Sequence, residues 1–178
     1  MSDIKILTVI GARPQIIKAA TLSRRIKKHY LSEIKEVIVH TGQHYDKNMS
    51  TVFFKDMGIP KPKYNLDMGG LRQSTMTGRM MEGLEKICLK ERPDWILVYG
   101  DTNSTLAGSL VASKLQIKLA HVEAGLRSYN MKMPEEINRI VTDRLSTLLF
   151  CPTKKATENL DLEGYDQIPC NIINSGDV

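Results

Sequence analysis

The densest chemistry in this sequence lies in residues 121–136, HVEAGLRSYNMKMPEE, which hold three carboxylates, an arginine, a lysine and a histidine. Two other short runs share that character. GARPQ (residues 11–15) places a glycine turn and Arg13 ahead of an amphipathic stretch, and YGDT (residues 99–102) places Asp101 directly after an apolar run. Carboxylates that meet in a cleft can serve as general bases and acids when their surroundings tune them. A helix N-terminus carrying an arginine can bind phosphate through backbone N–H groups and a bidentate guanidinium. Bland alternatives stand beside each. Glu135 and Glu136 follow Pro134, a residue suited to the first helical position, and acidic residues in a first turn stabilise a helix by roughly 0.3–1 kcal/mol. GARPQ also serves as a tight strand-to-helix turn with a solvated arginine. His121 falls inside an apolar run, which suits a hydrogen-bonded core residue, whereas His44 sits in a polar loop and is the better ligand candidate.

The elements that must position these residues are legible from periodicity. Short apolar runs at 4–10, 37–40, 64–66, 95–99, 118–122, 148–150 and 171–174 alternate with helical patterns at 15–30, 48–57, 73–91, 103–115, 134–146 and 153–163. The runs are apolar along their length, as strands buried on both faces are. This predicts an α/β fold, a doubly wound parallel sheet of Rossmann-like type. In the usual strand order 3-2-1-4-5, ligands bind outside the carboxyl ends of the strands, and Arg13, Asp101 and Glu123 converge on that edge. On the helix at 134–146, Ile137, Ile140, Val141 and Leu145 are expected to form the buried stripe. Glu135 is then expected to point away from it and stack over Arg139 at i+4, with Glu136 on the flank. The segment 153–163 reads as an ordinary amphipathic helix and receives no function.

Composition narrows the class. The chain has 178 residues, 42% hydrophobic and 25% charged, enough for one domain with one core. A formal charge of +5 favours phosphorylated ligands, or is an uneven surface without meaning. Three scattered cysteines without a CxxC pair argue against a disulfide framework or a zinc site and for reduced cytoplasmic thiols. No apolar run reaches membrane-spanning length and the N-terminus lacks a signal-peptide pattern, so a soluble cytoplasmic protein is expected. GARPQ matches neither GxGxxG nor GxxxxGK[ST], so standard nicotinamide binding and P-loop chemistry are not supported. No cofactor and no metal are expected.

Taken in order, GARPQ, TGQHYD, YGDTNSTLAGSLVASK, HVEAGLRS and MPEEINRIVTD give the sequence a resemblance to the non-hydrolysing UDP-N-acetylglucosamine 2-epimerases over essentially all 178 residues. That resemblance implies a two-domain architecture of the GT-B type. Residues 1–178 correspond to its N-terminal Rossmann-like domain, and the C-terminal UDP-binding domain, with a further catalytic histidine, is absent from this chain. The chain alone is then expected to be inactive or nearly so. The implied reaction interconverts UDP-GlcNAc and UDP-ManNAc for surface polysaccharide synthesis. UDP is eliminated to leave a 2-acetamidoglucal and is then re-added. The resemblance assigns acid/base and electrostatic roles to Asp101, Glu123 and Glu135, and places Arg13, Lys18 and Arg139 against substrate and phosphates. Gln43, His44 and Arg72 match part of an allosteric UDP-sugar site found in some bacterial relatives, although Asp46 stands where those have a second glutamine. GARPQ replaces the commoner GTRPE, and NMKMPEE lacks the usual aromatic before proline. Both departures point toward members acting on UDP-2,3-diacetamido-glucuronic acid. The implied partner is a UDP-sugar, not nucleic acid or a membrane, with homodimerisation at full length. A GT-B glycosyltransferase, which needs an acceptor site, and a non-catalytic nucleotide-sugar-binding fragment are the competing functions.

Overall fold

The computed structural model describes residues 3–43, Phe54 and residues 58–176. Among them the apolar runs form strands β1 Ile4–Ile10, β2 Ile34–His40, β3 Tyr64–Asn65, β4 Trp95–Tyr99, β5 Lys118–Val122, β6 Leu148–Cys151 and β7 Asn171–Asn174. They make one parallel sheet in the order β3-β2-β1-β4-β5-β6-β7, so β1 neighbours β4 and β4 neighbours β5, as the sequence predicts. The connecting helices are α1 Arg13–His29, α2 Gln73–Glu91, α3 Asn103–Lys114, α4 Pro134–Leu145 and α5 Lys154–Leu162, with a 3-10 turn at Tyr165–Gln167.

Alternation along the central strands sends side chains to two cores, and a third cluster packs Leu149 and Cys151 of β6 against Ala156 and Leu160 of α5. On one face Leu7, Val9, Ile96, Val98 and Leu119 pack against Met80 and Leu84 of α2 and Ala107 and Val111 of α3. On the other, Ile10, Ile38, Leu97, Tyr99 and Val122 pack against Ile16, Ala19 and Ala20 of α1. Helix α1 starts with Pro14 in its first turn, as proline's fixed φ favours, and ends on Lys27, Lys28 and His29, matching the dipole at its C-terminus. Helix α3 is capped by the Thr102 hydroxyl, which accepts from the Thr105 N–H. Every strand-to-helix turn therefore opens on the carboxyl edge of the sheet.

Strand β2 begins at Ile34, three residues before the predicted start at residue 37. The intervening Lys35 and Glu36 masked it. Glu36 is tolerated there because its carboxylate accepts the Thr8 hydroxyl across the pair at 2.7 Å. The helix expected at 48–57 lies outside the described residues apart from Phe54, which packs in the α1-side core. Among the described residues no helix is long and apolar enough to cross a membrane, and no group of three or more His, Cys, Asp or Glu side chains is placed to hold a metal ion.

Candidate active site

Two turns at the carboxyl edge are stapled together by Gln15. Its Oε1 accepts the Gly11 and Ala12 N–H groups at 2.7 and 3.0 Å, and its Nε2 donates to the Tyr99 carbonyl at 2.7 Å. The same amide reaches the hydroxyls of Thr102 and Thr105. A carboxylate at this position accepts but cannot donate to Tyr99, so the glutamine of GARPQ is suited to tie β1 to β4. Gly11 has no alternative, because a Cβ there overlaps the Ser104 and Thr41 hydroxyls, which bond each other at 2.7 Å.

Beyond those turns stand the two predicted carboxylates. Asp101 follows β4 and Glu123 follows β5, its neighbour in the sheet. Glu123 Oε1 lies 3.3 Å from Lys18 Nζ, and its Oε2 faces Gly100, 3.1 Å from where a Cβ on that glycine would sit. Asp101 Oδ2 accepts Arg139 Nε at 3.1 Å, and its carbonyl accepts Asn138 Nδ2 at 2.8 Å. The side chains are 26% and 37% exposed, so each is paired with a cation yet open to a ligand. Glu123 has φ of +74°, the left-handed region. That conformation costs a non-glycine residue on the order of 1–3 kcal/mol, persists only where surroundings over-determine it, and clusters at functional sites. Arg13, the first residue of α1, is exposed on the same edge.

Helix α4 corrects two expectations. Its buried residues are Glu136, Asn138, Arg139, Thr142 and Asp143, whereas Ile137 is 42% exposed and Ile140 and Val141 are only half-buried. The helix turns its polar face to the sheet edge, because that face has partners there. Glu136, fully buried, accepts the N–H groups of Ser128 and Tyr129 and the Arg139 guanidinium, the last at 2.7 Å. Burial alone would raise its carboxyl, but those N–H groups and Arg139 hold it below the ordinary range. The second correction concerns Arg139. It pairs with Glu136 and Asp101, not with Glu135. Glu135 is exposed on the first turn, and among the described residues it makes no side-chain hydrogen bond or ion pair.

Behind Glu123 lies a layer that the sequence did not disclose. His121 is a hydrogen-bonded core residue, as expected. Its Nδ1 meets Asp143 Oδ1 at 2.6 Å and its Nε2 meets the Gly100 carbonyl at 2.7 Å. Asp143 Oδ2 accepts the Gly125 N–H and Arg127 Nη1, and Arg127 makes a bidentate pair with Glu163. Burial would lower the Arg127 guanidinium, but Glu163 and Asp143 more than offset this and raise it. Asn159 of α5 donates to the Gly125 carbonyl and accepts the Tyr129 hydroxyl. The segment 153–163, given no function from sequence, thus holds the far side of the 123–130 loop. One signal was available: Glu136, Arg139 and Asp143 recur at i, i+3 and i+7, a polar stripe opposite the apolar one.

Of the three residues matched to an allosteric site, Gln43 lies against the start of α3, its Oε1 accepting the Ser104 N–H at 3.1 Å and the Ser104 hydroxyl at 2.9 Å. Arg72 is exposed at the N-cap of α2. His44 lies outside the described residues.

Known proteins resemble this chain in sequence and in fold. A family model described as UDP-N-acetylglucosamine 2-epimerase matches residues 24–178. The UDP-2,3-diacetamido-2,3-dideoxy-D-glucuronate 2-epimerase of Pseudomonas aeruginosa is 58% identical over 174 residues, which are 98% of this chain and 49% of that protein. The UDP-N-acetylglucosamine 2-epimerase of Methanocaldococcus jannaschii is 49% identical over 163 residues, 92% of this chain and 44% of that one. The crystal structure of the Methanocaldococcus jannaschii enzyme with UDP-GlcNAc and UDP superposes with a TM-score of 0.85 at 47% identity, covering 97% of this chain and 46% of that one. The Neisseria meningitidis enzyme bound to UDP-GlcNAc gives 0.84 at 35% identity, covering 90% and 43%. The chain spans about half the length of the curated relatives it matches. Its sequence and its doubly wound sheet place it in one family: the chain belongs to the UDP-N-acetylglucosamine 2-epimerases.

Proposed function

We propose that this chain is the N-terminal lobe of a UDP-sugar 2-epimerase, and that a C-terminal UDP-binding domain completes the site in the full-length protein. The observation that carries the proposal is the pairing of Asp101 and Glu123 on neighbouring strand ends, each against a cation, where α1 and α3 begin. Epimerisation at C2 begins with a weakly acidic C–H bond. A base takes that proton, the C1–O bond breaks with its electron pair leaving on UDP, and a C1=C2 double bond forms. Re-addition of UDP at C1, with a proton delivered to the opposite face of C2, completes the inversion. Two proton carriers on opposite faces are therefore required. Asp101, Glu123 and the exposed Glu135 supply the carboxylates. Lys18 and Arg139 hold two of them and, with Arg13, place cations on the edge where phosphate charge develops as UDP departs.

The test is incubation of the full-length protein with UDP-GlcNAc in D₂O. Deuterium at C2 of both recovered epimers is expected; its absence with every UDP-N-acetylhexosamine tried would sink the proposal. The 58% identity to the Pseudomonas aeruginosa relative favours UDP-2,3-diacetamido-2,3-dideoxy-D-glucuronate as a second substrate for the same assay. For the 178-residue chain alone, calorimetry with UDP-GlcNAc is expected to show weak binding and no turnover.

A further inference from the structure

We infer that Asp143, acting through His121 and Gly125, is a positioning residue that holds the two carboxylate-bearing turns, 100–101 and 123–125, in fixed register. Asp143 has no solvent exposure, and both of its oxygens are engaged. Through Oδ1 it orients His121, whose other ring nitrogen meets the carbonyl of Gly100, the residue before Asp101, at 2.7 Å. Through Oδ2 it accepts the N–H of Gly125, two residues after Glu123, at 3.1 Å. One side chain thus reaches the backbone beside both carboxylates that the proposed function needs, and the inference rests on that function.

Three features separate positioning from catalysis and from plain stability. Each His121 ring nitrogen faces an oxygen, so the ring cannot turn without losing both contacts. The path ends on a peptide carbonyl, so it offers no proton route to a substrate. A buried cluster of Asp143, His121 and Arg127, closed by the exposed Glu163, is also a weak source of stability, because apolar side chains of similar volume often do as well. The cluster does supply constraint where constraint is needed. Both turns run through left-handed backbone, Gly100 at φ +61° and Glu123 at φ +74°, and the second is strained.

The experiment compares Asp143→Asn, Glu123→Gln and the double variant of the full-length protein, with kcat and KM measured for UDP-GlcNAc. Asp143→Asn is expected to lower kcat roughly 10- to 100-fold, the scale of a small misplacement of reacting groups, with KM changed less than about threefold. The double variant is expected to lose at least about fivefold less than the product of the single losses, because the carboxylate being positioned is already gone. His121→Asn releases Gly100 while leaving Asp143 on Arg127 and Gly125, and the same kcat-only loss is expected. Fully multiplicative losses, an unchanged kcat in Asp143→Asn, or failure of both Asp143→Asn and His121→Asn to fold would each overturn the assignment. Absence of C2 exchange in the wild-type protein would instead overturn the proposed function, and is read before any variant is made.

Discussion

Replacing Glu136 with glutamine separates two adjacent carboxylates that sequence composition treats alike. Glu136 is fully buried and accepts from Ser128, Tyr129 and Arg139, while Glu135 is exposed and unpartnered among the described residues. Glutamine keeps the shape of Glu136 but removes its charge and turns an N–H₂ group toward N–H donors. Removing one partner of a buried ion pair costs about 3–5 kcal/mol. Arg139 keeps its contact with the partly exposed Asp101, so the lower end of that range applies. At about 2–4 °C per kcal/mol for a chain of this size, Glu136→Gln is expected to lower Tm by roughly 6–12 °C. Glu135→Gln loses only a helix-dipole contribution of under about 1 kcal/mol, and its Tm is expected to stay within about 4 °C. Turnover reverses the ranking at permissive temperature: Glu135→Gln loses activity as a proton carrier, while folded Glu136→Gln is impaired through Arg139 alone. Thermal melting followed by circular dichroism, beside deuterium incorporation at C2, checks both. A Glu136→Gln melt within 2 °C of wild type would refute the reasoning about the buried hub.

Three further outcomes are expected. In the full-length protein, Asp101→Asn and Glu123→Gln each lower turnover by at least roughly 10²-fold, the scale of a positioned acid or base; wild-type rates in either would mean the site is misplaced. Gly125→Ala is destabilising by about 2–4 kcal/mol, since φ is +77° and the new Cβ overlaps the Ala156 carbonyl of α5; denaturant titration measures it. Hydrogen bonds from Lys63 and Tyr64 hold the Glu91 carboxyl at about 2, below its ordinary 4.5. A depressed carboxyl contributes stability that is present above the unfolded value and lost as pH falls through the folded one. Urea midpoints of wild type and Glu91→Gln should therefore differ most above pH 4.5 and converge as pH falls toward 2.

The sheet was legible because its central strands are largely buried on both faces and are therefore mostly apolar. β1, β4, β5 and β7 cover the residues expected of them, 4–10, 95–99, 118–122 and 171–174. The exception was instructive: β2 starts early at the polar pair Lys35 and Glu36, where Glu36 satisfies Thr8 across the sheet and no apolar signal is needed. The positions of Asp101 and Glu123 were legible for a related reason. Each falls within two residues of a strand end, and strand order alone brings adjacent strand ends together.

Helix α4 shows why the rest was not. The hydrophobic-stripe rule assumes that a helix buries its apolar face, which holds where the neighbouring surface is apolar. At the carboxyl edge of this sheet the neighbouring surface is a row of turns, with peptide groups at 100–103 and 123–129 needing partners. A helix that packs there is selected for donors and acceptors at helical spacing. Asn138 reaches Asp101, Arg139 bridges Asp101 and Glu136, and Asp143 takes His121, Gly125 and Arg127. Burying such a face is costly unless every group is satisfied. That is why Glu136, Arg139 and Asp143 come as an interlocked set, and why single-residue arguments about Glu136 reached only its dipole. An interior polar stripe on a helix beside a strand-end row is therefore a signal of a ligand edge, and it directs mutagenesis to residues that touch no substrate.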